Sequence, residues 1–174
     1  MVEKILVATD GSTHAEKAVD LAAGIAASTG AEIHVVHVMM HGNPPDELQR
    51  MAEVEHMVKE VQHIQPALDN IPGGVAGVIR WAHENAKAAQ VMSVLGDRIL
   101  ADAQHAAERA GVKTVTTEVV NGNPAGAIVE AARRSGSDMI VMGSRGLGDL
   151  KGLMVGSVSH KVSNMAPCTC VTVK

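Results

Sequence analysis

Aromatic side chains are almost absent from this chain of 174 residues. It has no Phe and no Tyr, and Trp81 is its single Trp. Proteins that bind single-stranded nucleic acid usually stack bases on aromatic side chains, so the composition argues against that class. The core must therefore be built from Val, Ile, Leu, Met and Ala.

Basic clusters and long apolar runs are also missing. The 15 Lys and Arg residues against 19 Asp and Glu residues give a net charge of −4, with no basic run to follow a phosphate backbone. No apolar run approaches the roughly 18 residues of a membrane-spanning helix. The N-terminal MVEKILVATD also lacks the apolar stretch of a signal peptide. We therefore expect a cytoplasmic protein that binds neither nucleic acid nor membranes.

Cysteine is scarce as well, since the chain contains only Cys168 and Cys170. In a strand, residues two apart point the same way but lie too far apart for a relaxed disulfide. A Cys-x-Cys metal site is an alternative, although no second ligand pair accompanies it. The favoured interpretation is two small buried side chains in a reducing compartment.

Short apolar runs alternate with longer segments that have helical periodicity. Nearly continuous Val, Ile, Leu and Met runs are typical of parallel strands covered by helices on both faces. The expected strands are Lys4–Thr9, Glu32–Val38, Val112–Val120, Asp138–Met142 and Thr169–Val173. The expected helices are Ser12–Thr29, Val91–Ala110, Pro124–Ser135 and Val155–Asn164. This alternation predicts an α/β fold with a doubly wound sheet.

Characteristic residues mark the ends of these helices. Thr13 and Glu16 have the spacing of a capping box, and Asn123 before Pro124 is a typical N-cap with proline at the first helical position. Glycines stand where helices usually end. They are Gly30, Gly111 and Gly136.

About fifty residues, from 40 to about 90, break the alternation because they contain no convincing strand. Turns at residues 41–45 and 71–74 divide this segment. Apolar residues recur in it every three or four positions, which indicates a seam that packs against another helix. They are Met51, Val54, Val58, Val61 and Leu68. We predict an inserted helical hairpin that is either a lid on its own domain or an interface for a second copy or a partner protein.

A glycine-rich loop, GSRGLGDLKGLMVGS, spans residues 143–157 between an expected strand and an expected helix. Glycine permits positive φ and close approach to a ligand, while amides at a helix N-terminus attract anions. The hydroxyls of Ser157 and Ser159 could donate hydrogen bonds to phosphate. The loop lacks the Gly-Lys-Ser/Thr of a Walker motif. A flexible connector is the alternative interpretation.

Asp10 follows the first strand and precedes Gly11 and Ser12 at a helix start. In doubly wound sheets, ligands bind beyond the carboxyl ends of strands, where the winding reverses. If the strands before Asp10 and Gly143 are neighbours, this carboxylate faces the glycine loop. It would then accept a ribose hydroxyl or hold Mg²⁺ on phosphates. Its alternative role is to cap the following helix.

Several segments together resemble the universal stress protein family. They are ATDGS, HVVHV, GNPAGAIVEAARRSGSDMIVMGSRG and GSVSHKVSNMAPCTCVTVK, and Gly143-x2-Gly146-x9-Gly156-Ser157 matches the family's ATP-binding motif. The resemblance covers residues 1–39 and about 91–174. It implies one Rossmann-like domain over residues 1–174, with a five-stranded parallel sheet in the order 3-2-1-4-5. It also implies ATP or another adenine nucleotide in the crevice, and a homodimer along Thr169–Val173.

The resemblance also assigns a role to individual positions. Asp10 would approach the ribose or a phosphate-bound Mg²⁺, and Val38 would meet adenine through its backbone. The remaining assignments are Ala8 and Thr9 in the pocket lining, Met142 and Gly143 near the ribose, and Gly146, Gly156, Ser157 and Val158 on the phosphates. Arg145 and Lys151 are nearby cations outside the core pattern. The insert begins beside the adenine side, so it could cover or obstruct the nucleotide.

Nine histidines raise the question of catalysis or metal binding. His34 and His37 are three apart in a strand and therefore face opposite ways. His14 and His160 lie early in helices near the expected crevice, but nothing positions either as a general base. On the inserted helix, a solvated face is favoured over a metal site. That face carries His56, Glu60 and His63.

We therefore expect an ATP-binding stress-response regulator with at most slow ATP hydrolysis. The alternative is an adaptor that acts through the inserted hairpin, independently of nucleotide. An enzyme acting on an adenylated substrate rests on fold analogy alone and ranks last.

Overall fold

A computed structural model describes residues 2–39, 93–147 and 156–174. Residues 1–41 and 96–174 form one compact unit, and residues 42–95 belong to a different one. The expected inserted hairpin, residues 40 to about 90, lies outside the described residues. The same holds for Lys151 in the glycine loop.

Strands and helices alternate along the described chain, as the sequence predicts. The strands are β1 (Lys4–Ala8), β2 (Glu32–Met39), β3 (Val115–Asn121), β4 (Met139–Gly143) and β5 (Thr169–Val173). The helices are α1 (Thr13–Thr29), α2 (residues 93–109), α3 (Pro124–Ser135) and α4 (Ser157–Met165). No helix among these residues is long and apolar enough to cross a membrane.

The five strands form one parallel sheet in the order β3-β2-β1-β4-β5, which confirms the predicted fold. Ala8, the last residue of β1, is in register with Val36 on one side and Met142 on the other. Because the winding reverses between β1 and β4, the carboxyl ends of these two strands border a crevice. The expected neighbours Asp10 and Gly143 therefore lie at the same edge of the sheet.

Side chains of the strands alternate between two apolar layers. One layer packs under α1 and α2 and includes Ile5, Val7, Ile33, Val35 and Val141. The other packs under α3 and α4 and includes Leu6, Ala8, Val36, Ile140 and Met142. The helices contribute many buried alanines, which let them approach the sheet closely without aromatic side chains.

Two expected element boundaries are wrong, and helix-end geometry explains both. Ser12, not Thr13, is the N-cap of α1, because its hydroxyl accepts from the amide of Ala15. The strand expected from Val112 begins at Val115, because the amide of Val112 still bonds to the carbonyl of Ala107 and closes α2. The Asn123 cap is confirmed, and Gly30, Gly111 and Gly136 all have positive φ.

The cysteines differ from the expectation in one respect. Both are free, but Cys168 and Cys170 are half-buried on the α4 side of the sheet rather than fully buried. Burial raises the pKa of both thiols, which disfavours the thiolate that binds metals. Within the described ranges, no group of three or more His, Cys, Asp or Glu side chains is arranged to hold a metal ion.

Candidate functional site

The carboxylate of Asp10 joins the end of β1 to the loop that follows β4. Its Oδ1 accepts from the amide of Ser12 at 3.0 Å, and its Oδ2 accepts from the amide of Leu147 at 3.0 Å. Helix capping is done by Ser12, so Asp10 does not have its alternative role as the N-cap of α1. A carboxylate has about four acceptor positions, so Asp10 can still take a ligand hydroxyl or a cation.

Ser144 is the residue at which three other elements meet. Its amide donates to the carbonyl of Val173 at 2.7 Å, which continues the pairing of β4 with β5. Its carbonyl accepts from the amide of Gly156 at 2.7 Å and from the hydroxyl of Ser159 at 2.8 Å, at the start of α4. Its own hydroxyl lies 3.2 Å from Nδ1 of His14 on α1. Ser144 is only 1% exposed, so these bonds fix the loop from within.

Sequence reasoning missed the role of Ser144. The signal for it was a small polar residue directly after a buried strand and inside a glycine-rich loop. That signal does not identify which elements the residue would contact, because the contacts depend on strands far apart in the chain.

Glycine is needed at three positions of the loop because neighbouring atoms leave too little space for a Cβ, and not because the backbone has unusual angles there. A Cβ at Gly143 would lie 2.9 Å from backbone atoms of both His14 and Ala15, and a Cβ at Gly146 would collide with the carboxylate of Asp10. At Gly156 it would lie 3.1 Å from the carbonyl oxygen of Ser144.

The expectation of positive φ in this loop is wrong for the glycines that the structure describes. Gly156 has φ of −69°, and neither Gly143 nor Gly146 is among the glycines with positive φ. The segment runs close to α1 and to Asp10, and this closeness excludes a side chain.

The N-terminus of α4 opens toward this loop. Its N-cap, Gly156, provides no side-chain hydrogen bond, so amides of the first turn remain for another acceptor. Ser157 is exposed there and Val158 is half-buried. The hydroxyl of Ser159 bonds to the carbonyls of Ser144 and Gly156, so it holds the loop in shape. Amides at a helix start facing a carboxylate suit an anion together with a bridging cation.

The apolar residues expected near the nucleotide lie in the layer under α3 and α4. Met142 and Ala8 are buried, and Val38 is half-buried and packs against the same apolar layer. Thr9 is buried, and its amide donates to the carbonyl of Val36 at 3.0 Å.

Polar groups from α1 approach the other side of the crevice. Arg145 is half-buried, and its carbonyl accepts from the hydroxyl of Ser12 at 3.4 Å. The imidazole of His14 faces the hydroxyl of Ser144, as described above. The loop after β4 is therefore bonded to the start of α1 through the side chains of Ser12 and His14, and to the end of β1 through Asp10.

The other histidines have distinct surroundings. His34 contacts Thr116 and Glu118 on β3, while His37 is buried and bonds to the carbonyl of Thr9. The two rings lie against different partners, in agreement with the prediction that they face opposite ways. His160 is exposed and hydrogen-bonds to Asn164, one turn further along α4.

Comparison with known proteins gives one consistent result. The model of the universal stress protein family matches residues 1–174. Universal stress protein YxiE of Bacillus subtilis is 33% identical over the full length of both chains. A crystallised universal stress protein in complex with cAMP is 25% identical, with a TM-score of 0.62 over 99% of this chain and 97% of that one. The universal stress protein UspA of Lactobacillus plantarum shares the fold, with a TM-score of 0.64 at 20% identity, covering 99% of this chain and 98% of that one. The chain therefore belongs to the universal stress protein family.

Proposed function

We propose that this chain binds ATP, together with Mg²⁺, at the carboxyl ends of β1 and β4, and that it acts as a nucleotide-dependent regulator in a stress response. The observation that carries this proposal is the close contact of Gly146 with the Asp10 carboxylate, beside an α4 N-terminus without a side-chain cap. This arrangement excludes a side chain beside Asp10 and leaves amides of the first turn of α4 for phosphate oxygens. The cAMP complex of a 25%-identical relative supports an adenine nucleotide as the ligand.

Each group of residues has a chemical role in this proposal. The amides of Ser157 and Val158 would donate hydrogen bonds to phosphate oxygens at the positive end of the α4 dipole. Gly156, whose amide is held by the carbonyl of Ser144, would let the phosphates approach because it has no side chain. The remaining acceptor positions of Asp10 would take a ribose hydroxyl or Mg²⁺, which proteins commonly hold through one or two carboxylates and the phosphates of the substrate. Val38 would place adenine against the apolar layer under α3 and α4.

Rapid ATP hydrolysis is not part of the proposal. A general base must lie within hydrogen-bond reach of the attacking water. In the crevice, the Nδ1 atom of His14 is bonded to the hydroxyl of Ser144, and the remaining acceptor positions of Asp10 are assigned to a ribose hydroxyl or Mg²⁺ rather than to a water. We therefore expect phosphate release by the purified protein to be far slower than the turnover of about 10 s⁻¹ that is typical of enzymes.

The first test is a titration of the purified protein with ATP, with and without Mg²⁺, after native mass spectrometry for any co-purified ligand. We expect saturable binding that weakens without Mg²⁺ and disappears in Gly156→Val, whose larger side chain must displace the carbonyl of Ser144. A wild-type protein that ignores ATP, AMP and cAMP would contradict the proposal. Function would then have to be sought in the adaptor hypothesis, in which a partner protein binds the inserted segment.

We also propose that the protein forms a homodimer along β5. This strand lies at the edge of the described sheet, where Thr169 and Thr172 are exposed. The two helices that pack against it carry the exposed apolar side chains Leu21 and Met165. An unpaired strand edge with apolar neighbours is suited to pairing with another chain.

Light scattering tests this dimer. A lysine at an edge strand opposes pairing, so Thr172→Lys should shift the protein toward the monomer mass. The matched control is Thr117→Lys, since Thr117 is also exposed but lies on β3, the strand at the opposite side of the described sheet. Equal masses for wild type and both variants would contradict β5 as the interface.

A further inference from the structure

His37 is a buried polar side chain that the proposed nucleotide contacts do not use. It lies near the carboxyl end of β2, on the face of the sheet that α1 and α2 cover, and is only 5% exposed. Its Nδ1 lies 2.9 Å from the carbonyl oxygen of Thr9. Because a carbonyl oxygen only accepts hydrogen bonds, Nδ1 must carry the hydrogen and act as the donor.

This hydrogen bond extends the contact between β2 and the chain that leaves β1. The amide of Thr9 donates to the carbonyl of Val36 at 3.0 Å, and the His37 ring binds the Thr9 carbonyl. Both backbone polar groups of Thr9 are therefore held by β2, one residue beyond the end of β1. Thr9 directly precedes Asp10, so the peptide bond between them fixes the backbone position from which the Asp10 side chain extends.

Helix α2 holds the imidazole from another side. Gly96 is buried in this helix, and a Cβ at that position would lie 3.1 Å from Cδ2 and 3.6 Å from Nε2 of His37. Glycine inside a helix lowers helix stability relative to alanine. Unlike Gly126 on α3, where a Cβ would meet open space, Gly96 lies directly against another side chain. Gly96 leaves the space that the ring occupies, and a Cβ there would require the ring to shift by a few tenths of an ångström.

We propose that His37 is a positioning residue for the nucleotide site. It holds the Thr9 carbonyl so that the Asp10 carboxylate meets the amide of Leu147, and Gly96 provides the room that keeps its ring in that orientation. The inference rests on the proposed nucleotide binding for its effect on affinity. Its structural part, the coupling from Gly96 to Leu147, holds in the nucleotide-free protein and is tested there.

The first experiment compares His37→Ala with His37→Asn. The side-chain amide of Asn places an N–H near the position of Nδ1, so it can restore the bond to Thr9, whereas Ala cannot. In the nucleotide-free protein, we expect the Leu147 amide, followed by NMR hydrogen exchange, to exchange about 10-fold faster in His37→Ala. The Kd for ATP should rise about 10-fold in the same variant. His37→Asn should return both values to within about threefold of wild type.

The second experiment is a double-mutant cycle between Gly96 and His37. Gly96→Ala should weaken ATP binding about threefold, because the new methyl group displaces the ring. In the His37→Ala background the same change should have no further effect, since the ring is gone. Gly126→Ala on α3 is the matched control, because nothing lies within 4 Å of a Cβ at that helical glycine.

The outcomes separate this inference from the proposed function. Wild-type protein that binds no ATP overturns the nucleotide function, while the exchange rate of Leu147 still tests the positioning role. Unchanged exchange in His37→Ala overturns the inference, as does equal loss in His37→Ala and His37→Asn. If His37→Ala does not fold, Gly96→Ala decides alone: wild-type exchange and affinity in that variant would overturn the inference.

Discussion

Two aspartates, one at the amino ends of the parallel strands and one at their carboxyl ends, make nearly the same hydrogen bonds. In this comparison the two ends are called the amino edge and the carboxyl edge of the sheet. At the amino edge, the Oδ2 of Asp138 accepts from the amides of Glu3 at 2.8 Å and Lys4 at 3.0 Å. At the carboxyl edge, Asp10 also accepts from two amides, those of Ser12 and Leu147. Each carboxylate ties one end of β1 to the chain at the corresponding end of β4.

The difference between the two aspartates lies in what surrounds them. Beside Asp138 the pairing of β1 with β4 begins at once, since its amide donates to the carbonyl of Lys4. Beside Asp10 the chain instead passes through a glycine, Gly146, and on to an uncapped helix N-terminus. The same pair of bonds therefore closes the sheet at the amino ends of these strands and shapes the proposed nucleotide site at their carboxyl ends. An aspartate with two amide donors does not by itself indicate a functional site.

The largest effect should come from filling the space beside Asp10. Gly146→Val puts a branched side chain where the Asp10 carboxylate lies. We expect the affinity for ATP to fall at least about 100-fold in isothermal titration, because the carboxylate and the loop must both move. Far-UV circular dichroism should remain that of the wild type, since the loop lies outside the apolar layers.

Gly126→Ala serves as the control for Gly146→Val, as it adds a methyl group to a helical position with open space. It should leave ATP binding unchanged. Wild-type affinity in Gly146→Val would remove the distinction between the two edges of the sheet and contradict the phosphate site.

The second prediction separates the two aspartates directly. In Asp10→Asn, one oxygen becomes an NH₂ group that cannot accept a backbone amide, so one of the two bonds is lost. We expect ATP binding to weaken about 10-fold. Asp138→Asn should leave ATP binding as in wild type and lower the melting temperature slightly, because the charge is lost while the remaining oxygen of Asn can take the place of Oδ2, which accepts both amides. Weaker ATP binding in Asp138→Asn would show that the edges are not independent.

The smallest effect is a pH dependence specific to the amino edge. The amides of Glu3 and Lys4 lower the pKa of Asp138 below its ordinary value of 3.8. A carboxylate whose folded pKa is lowered stabilises the fold above its unfolded pKa, and this contribution is lost as the pH falls through the folded pKa. The difference in stability between wild type and Asp138→Asn should therefore be constant near neutral pH and change only below about pH 4.

Urea unfolding of both proteins from about pH 7 to pH 3 measures this difference. Asp138→Ser, which keeps a short acceptor without the charge, separates the charge from the hydrogen bonds. A difference that varies between about pH 5 and 7 would assign the effect to another group.

Local patterns predict the elements of this fold well because each is set by nearby residues. The apolar runs of β1 and β4, the cap at Asn123 and the glycine at the end of α1 all follow from short-range preferences. The order of the strands came from the family resemblance rather than from periodicity, and the structure confirms it.

The contacts of the site could not be read from the sequence, because they depend on register between distant segments. The bond from Leu147 to Asp10 and the four bonds of Ser144 exist only once β1, β4 and β5 are aligned. The prediction of positive φ for the loop glycines fails for the same reason. The spacing of glycines shows where side chains are absent, but it does not show which atoms occupy that space. The neighbour of Gly146 is a carboxylate 136 positions earlier in the chain.

The bonds of Ser144 have a consequence for protein engineering. Because its amide, carbonyl and hydroxyl are all engaged inside the protein, Ser144 itself holds the frame of the loop. Position 147, which bonds to Asp10 through its backbone amide, can then be randomised while the frame is retained. Selecting variants from such a library that bind other nucleotides would test whether ligand preference can change without a redesign of the domain.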